Sequence, residues 1–251
     1  MLKLYRRCTM FLLGFLSINL IWYLAFLMTD MAVIPNPIRV YQSFASVLSD
    51  HIAVHIWYSL RRIGLGLAFS LIIGIPIGIL MAYSKKANTI LYPLIYFSYP
   101  IPKTALLPVA MLIWGMRDGS KVVIMFLVIV FQVIISVRDS VINIDPRLYQ
   151  VIQSTGANKG QIIRHVTLPA ILPQLLTSVR VSLGAAVSIL FFVEGYGTKY
   201  GMGYYILDAW SRINYIEMYI GIIVISVIGF FLFVSIDYIS YKLCKWKNII
   251  S

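Results

Sequence analysis

The sequence predicts an all-α integral membrane protein with six transmembrane helices, and two observations carry this prediction. Of the 251 residues, 60% are hydrophobic and only 12% are charged, and the mean hydropathy is +0.87. An ordinary soluble domain carries about 25% charged residues. Apolar runs of about 20 residues, the length that a helix needs to cross a bilayer, recur along the chain. We therefore expect one membrane domain that covers residues 1–251.

Three of the six predicted spans contain no charged residue, and the other three are compromised by prolines, by short length or by a charge. The uncharged spans are residues 8–29, 63–84 and 218–236, and the compromised ones are 91–116, 122–137 and 170–193. A signal peptide is the alternative interpretation of the first run. Its length and the lack of a small-residue cleavage site favour a retained helix.

The positive charge of the chain indicates topology and not nucleic-acid binding. The net charge is +12, but the 21 Lys and Arg residues are spread between the apolar runs and form no single patch. Because cytoplasmic loops are enriched in Lys and Arg, their distribution favours a cytoplasmic location for both termini and for residues 138–169. Cys8 and Cys244 have neither disulfide-framework nor metal-ligand spacing.

The predicted cytoplasmic segment, residues 138–169, is expected to contain two short amphipathic helices joined at a glycine. Asp145 can cap a helix that starts at Pro146, where a missing N–H costs nothing. An apolar stripe follows at helical spacing and resumes after the glycine; its members are Leu148, Val151, Ile152, Ile162 and Ile163. Gly156 lies at the break, as expected of a residue that can adopt a left-handed conformation. An amphipathic pair of this kind predicts a docking surface.

The same segment resembles the cytoplasmic loop of the permeases of binding-protein-dependent ABC importers. That loop reads Glu-Ala-Ala, three residues, Gly, nine residues, and then Ile-x-Leu-Pro. Here nine residues separate Gly156 from Val166-Thr-Leu-Pro169, and Gln150-Val-Ile152 replaces Glu-Ala-Ala. Further segments are similar to the aliphatic sulfonate, taurine and nitrate branch of the family: Ser59–Gly64, Gly74–Gly78, Pro100–Pro108, Asp145–Arg147 and Gly201–Ala209.

The resemblance implies the type I importer permease fold, which is a core of five helices, here with one additional amino-terminal helix, paired with a second permease copy. It also implies an extracytoplasmic binding protein and two copies of an ATP-binding subunit, which bind ATP and Mg²⁺. The implied coupling residues, which contact that subunit, are Gln150, Val151, Ile152, Ser154, Thr155, Gly156, Ala157, Ile162, Ile163, Leu168 and Pro169. The solute would be a sulfonate, nitrate, bicarbonate or a vitamin precursor.

Proline and charged residues inside the spans predict a substrate path. Pro100, Pro102 and Lys103 interrupt the third span, and broken helices at membrane depth are tolerated where they line a cavity or are buried in protein. Arg180 and Glu194 are charges in or beside a span, which makes them functional candidates. The structural alternatives are an Arg180–Asp237 pair and, for Glu194 near a wetted helix end, a capping role.

Other functional classes are less well supported by the sequence. We find no Walker-type sequence and no pair of catalytic residues, so the permease is not expected to be an enzyme. His51 and His55 are spaced at i, i+4 without the Glu of a zinc-protease motif, so no metal site is expected. The alternative function is an ion-coupled secondary transporter, but we see neither the internal repeat nor the buried acidic residues that this class uses.

Overall fold

The computed structural model describes residues 2–29, 31–48 and 52–246, and helices joined by short turns account for nearly all of them. The first six helices are α1 (Leu2–Thr29), α2 (Pro37–Gln42), α3 (Phe44–Leu48), α4 (Ile52–Tyr83), α5 (Lys85–Ser98) and α6 (Leu107–Trp114). The remaining six are α7 (Asp118–Ile142), α8 (Pro146–Gln153), α9 (Lys159–Ile162), α10 (Leu168–Glu194), α11 (Met202–Ser211) and α12 (Tyr215–Leu243).

Four helical segments are long and apolar enough to cross a membrane by themselves. They are α4, α7, the continuous segment Lys159–Glu194 and α12. The predicted first span corresponds to α1, and the predicted third span is divided between α5 and α6. The chain is therefore all-α and multi-pass, with its helices in the predicted order.

The division of the third span follows from its prolines. Helix α5 ends at Ser98, a turn contains Pro100 and Pro102, and a 3₁₀ turn covers Lys103–Leu106 before α6 begins. Because proline has no N–H to donate, two prolines in one turn cannot continue the hydrogen-bond ladder of α5.

Glycines on α4 allow this helix to approach α7 closely. A Cβ on Gly74 would lie 2.8 Å from Val133 Cγ1, and one on Gly78 would lie 2.7 Å from Val137 Cβ. The Gly-x-x-x-Gly pair therefore packs against α7 of the same chain. The main core continues from this contact across α7 to α10 and includes the fully buried Ile129.

The second predicted helix of residues 138–169 is not a separate element. Helix α9 passes through a π-helical turn, Ile163–Thr167, directly into α10. Pro169 lies in the first turn of α10. Since a proline is tolerated in a first turn and a π turn shifts the hydrogen-bond register just before it, the helix continues.

Candidate functional site

Helix α8 presents an apolar surface at the end of the bundle where α4 and α7 finish. Asp145 caps it, since its Oδ1 accepts a hydrogen bond of 2.9 Å from the backbone N–H of Arg147. The side chains of Leu148 and Val151 are 51% and 69% exposed. Ile152 is half-buried, and Gln150 is exposed beside it. Exposed aliphatic side chains on a polar helix are available to a partner.

The turn after α8 depends on Gly156. Its φ is +77°, in the left-handed region that glycine adopts without strain, and no atom lies within 4 Å of the position of an added Cβ. The exposed Ser154 and Thr155 donate 2.8 Å hydrogen bonds to the carbonyl oxygens of Val151 and Ile152, which lie in the last turn of α8. The left-handed glycine thus ends α8 and redirects the chain past Ala157 to α9.

Helix α9 starts with a capping box. Asn158 Oδ1 accepts a bond of 2.9 Å from Gln161 N, and Gln161 Oε1 accepts one of 2.8 Å from Asn158 N. Ile162 is only 8% exposed and packs inside the chain, which is not the orientation expected of a docking residue. The continuous helix turns this side chain inward. Ile163 and Pro169 are half-buried and Leu168 is 39% exposed.

Hydroxyl groups attach this region to the bundle. Thr167, which is fully buried, hydrogen-bonds to Tyr83 Oη at 2.7 Å and to Tyr149 Oη at 3.4 Å. The contacts join the end of α4, α8 and the π turn. Burial raises the pKa of Tyr149 to about 12, so its phenol stays protonated at neutral pH. The position of α8 is therefore fixed by neutral hydrogen bonds.

The opposite end of the bundle contains a buried charge network, defined here by Ser59, Arg62, Asp118 and Glu194. The Glu194 side chain is fully buried and accepts hydrogen bonds from Ser59 Oγ at 2.8 Å, Arg62 Nη1 at 2.7 Å and Gly203 N at 2.9 Å. Gly203 lies in the first turn of α11, so the carboxylate caps that helix.

Arg62 uses all of its hydrogen-bonding capacity in this network. Its side chain is 1% exposed. Nε and Nη2 donate to Asp118 Oδ1 at 2.9 and 2.6 Å, Nη1 donates to the Tyr200 carbonyl at 2.8 Å and Nη2 to Thr198 Oγ1 at 3.1 Å. With the Glu194 bond, five bonds match the five N–H donors of a guanidinium group. The arginine therefore joins α4, α7, α10 and the loop before α11.

Glu194, Arg180 and Lys103, which were predicted to line the substrate path, have different partners. Glu194 belongs to the charge network, and the expectation that water reaches it is wrong because its side chain is fully buried and bonded to residues of α4 and α11. Arg180 pairs with Asp237 at 3.0 Å, which confirms the alternative given for it. Lys103 Nζ donates to carbonyl oxygens in the turn where Pro100 and Pro102 lie, including Ile101 O at 2.9 Å and Ser98 O.

The network residues Ser59, Arg62 and Asp118 were not identified as a site from the sequence. Ser59 and Arg62 are separated from Glu194 by 135 and 132 residues. The available signal was a carboxylate at the end of an apolar span, which requires a buried partner. His51 lies outside the described residues. Among the described residues, no group of three His, Cys, Asp or Glu side chains could hold a metal ion.

The described residues form an all-helical bundle with an exposed short helix at one end and one broken span. The chain belongs to the family of binding-protein-dependent transport system inner membrane components, which matches residues 74–244. It is an ABC importer permease of the sulfonate and taurine branch.

Individual relatives support this assignment. The putative aliphatic sulfonates transport permease protein SsuC of Bacillus subtilis (strain 168) is 32% identical over 219 residues, which are 86% of this chain and 79% of the relative. The taurine transport system permease protein TauC of Escherichia coli (strain K12) is 32% identical over 194 residues, which are 77% of this chain and 70% of the relative. Nothing in these similarities supports the ion-coupled alternative.

A solved structure supports the fold. The inward-facing MetNI methionine ABC transporter contains a chain that superposes with a TM-score of 0.64 at 19% identity, covering 75% of this chain and 94% of that chain. The likeness at this identity concerns the fold, which is that of a type I importer permease.

Proposed function

We propose that this chain forms half of the path by which a small solute enters the cell, and that it couples this path to ATP hydrolysis by a separate subunit. The observation that carries the proposal is the exposed apolar face of α8, where Leu148 is 51% and Val151 69% exposed. Because α8 is anchored through Tyr149 to Thr167 at the start of the long helix that includes α10, a partner that moves α8 would also move a membrane span.

The proposed partner for this face is an ABC ATP-binding subunit, which supplies the sites for ATP and Mg²⁺. Each permease offers one such helix, whereas ABC ATPases act in pairs. The simplest complete assembly is therefore two copies of this chain with two ATP-binding subunits. An extracytoplasmic binding protein would deliver the solute at the end of the bundle that contains the charge network.

The proposed solute class is a small anion of the sulfonate type. The support is the similarity to two relatives, an aliphatic sulfonates permease and a taurine permease. Nitrate, bicarbonate and vitamin precursors are the alternatives. Uptake into proteoliposomes that contain the whole transporter, with its binding protein and labelled taurine, nitrate or bicarbonate, separates these classes.

The proposed orientation places both termini and α8 in the cytoplasm of a bacterial cell. Gln153 is an exposed residue at the end of α8. We expect Gln153→Cys to react with an impermeant thiol reagent in inverted membrane vesicles and not in intact cells. Reaction in intact cells would place α8 outside and would refute coupling through this helix.

The docking proposal is tested by replacing Leu148 and Val151 together with serine. Burying each of these side chains in a partner contributes about 1.5 to 3 kcal/mol, so the double variant should lose most of the ATP-binding subunit that co-purifies with the permease. A matched control replaces Val33 and Ile38, which are 48% and 55% exposed, with serine. The proposal fails if the Leu148/Val151 variant keeps the wild-type amount of the ATP-binding subunit.

A further inference from the structure

Two adjoining grooves run between α7 and α10. The first has a volume of about 710 Å³ and reaches Leu148 on α8. The second has a volume of about 350 Å³ and reaches the turn between α5 and α6. Gln132 and Val181 line both, so the two grooves adjoin at these residues, and together they are here called the transit groove. Its polar lining includes Gln132, Ser136, Gln174, Thr177, Ser178 and Ser182.

Three serine hydroxyls along the transit groove have no hydrogen-bond partner within the described part of the chain: those of Ser136, Ser178 and Ser182. Ser178 and Ser182 are only 5% and 3% exposed. A buried hydroxyl without a partner costs about 1 to 3 kcal/mol, and the hydrocarbon of a membrane offers no replacement. Three such groups along one groove therefore indicate a place where a polar partner is bound.

Other serines on the same two helices do not share this property. Ser140 Oγ on α7 donates to Ser136 O at 2.6 Å, and Ser188 Oγ on α10 donates to Gly184 O at 3.1 Å. A helical serine can thus satisfy itself on the preceding turn. Ser140 itself lines the groove, so only part of its hydroxyl lining is left without a partner.

The charges beside the transit groove favour an anion. Lys103 lines it at one end, and among the described residues no carboxylate lies within ion-pair distance of its Nζ, which is held by backbone carbonyls such as Tyr99 O at 2.9 Å. At the other end Asp139 lines the groove, and its carboxylate would repel an anion. It is neutralised by Arg138 Nη1 at 2.6 Å. The net charge of Lys103, Asp139 and Arg138 beside the groove is therefore one positive charge.

We propose that the transit groove binds a small oxyanion during its passage through the membrane, an inference that rests on the proposed transport function. The serine hydroxyls donate to the oxygen atoms of the anion, and Lys103 supplies the attractive potential. Gln132 contributes its amide N–H groups, because its Oε1 already accepts a bond of 2.7 Å from Tyr99 Oη. This assigns recognition to α7 and α10 and leaves Glu194 and Arg180 with structural roles.

The test uses thiol reagents of opposite charge on the assembled complex of permease and ATP-binding subunit in inverted vesicles. Ser178→Cys and Ser182→Cys are made in a background in which Cys8 and Cys244 are replaced by serine. Sulfonatoethyl methanethiosulfonate carries an alkyl sulfonate, and trimethylammonioethyl methanethiosulfonate carries a cation. After normalisation to a free thiol in solution, the sulfonate reagent should react about fivefold faster or more, as expected for one nearby positive charge.

Two controls make the result specific. Ser70 is also fully buried but lines neither groove, and its hydroxyl bonds to Gly66 O at 2.7 Å and to Phe126 O at 3.1 Å; because no groove gives the reagent access, Ser70→Cys should not react. Lys103→Met should remove the preference for the sulfonate reagent, and Lys103→Arg should keep it. Because Ser→Cys is nearly isosteric, the complex should assemble in each serine variant.

Two results would overturn the inference. Unreactive cysteines at positions 178 and 182 would mean that lipid or a second copy of the chain covers the groove. Equal rates for the two reagents, or faster reaction of the cation, would exclude anion recognition there. Failure of the proposed function is distinguishable, because the ATP-binding subunit would then be missing from the purified complex whatever the cysteines do.

Discussion

At one end of the bundle Arg62 and Glu194 are almost completely buried, and every N–H of the arginine is matched by an acceptor. At the other end Leu148 and Val151 are exposed on α8. Side-chain hydrogen bonds from nearby residues satisfy backbone groups at both ends of this helix. Both regions contain side chains that are unusual for their surroundings: charged groups inside the protein at the first end, and aliphatic groups on its surface at the second. The difference is that the buried charges have hydrogen-bond partners within the chain, whereas the aliphatic side chains of α8 stay exposed. A partner is therefore expected at α8, and structural rigidity at the charge network.

The largest expected effect is at the charge network. Arg62→Ala leaves Glu194 buried without its cation, which should lower the free energy of unfolding by about 3 to 5 kcal/mol. The neighbouring Arg61 is a natural control: it is 48% exposed and lies 3.5 Å from Asp118. Arg61→Ala should cost less than about 1 kcal/mol. Chemical unfolding in detergent measures both, and equal stability of the two variants would contradict the structural role of Arg62.

A second prediction concerns the rigid connection between the two ends, which is the contact of α4 with α7. In Gly78→Ala the new Cβ would lie 2.7 Å from Val137 Cβ and 2.8 Å from Ile134 O, so the helices must separate. We expect a loss of about 1 to 3 kcal/mol in the free energy of unfolding. Gly64→Ala, on the same helix with no atom within 4 Å of the new Cβ, should be close to neutral. Comparable losses in the two variants would show that helix packing is not responsible.

A smaller effect is expected from the capping box. Asn158→Ala removes the acceptor for Gln161 N, which should cost about 1 kcal/mol locally. Amide hydrogen exchange at residues 159–163 should become about fivefold faster, while exchange in α4 and α7 stays unchanged. Equal acceleration of exchange in α7 would show that the end of the bundle with α8 and α9 does not open independently. This result would contradict the difference proposed between the two ends.

The success of sequence-based prediction differed between the two ends for a physical reason. The cap at Asp145, the start at Pro146 and the left-handed Gly156 depend on neighbouring residues, so the local pattern predicted them correctly. The charge network depends on residues more than a hundred positions apart, and no local pattern connects Arg62 with Glu194.

The inward orientation of Ile162 was missed for a related reason. Residues 138–169 were interpreted as two short helices, although the π turn Ile163–Thr167 makes the second one continuous with the next span. The side chain therefore points to the core, and the predicted docking surface is reduced to α8 and the exposed residues around it.

The central claim, that α8 and the turn after it serve docking, is tested most directly by two glycines with similar positive φ. Gly156 and Gly115 have φ of +77° and +79°, and neither has an atom within 4 Å of an added Cβ. A valine at either position is strained by about 1 to 3 kcal/mol. The measurement is the affinity of the purified permease for its ATP-binding subunit. Gly156→Val should weaken it by about one to two decades, at 1.4 kcal/mol per decade, and Gly115→Val should not. Unchanged affinity in Gly156→Val, or equal losses in both variants, would contradict the claim.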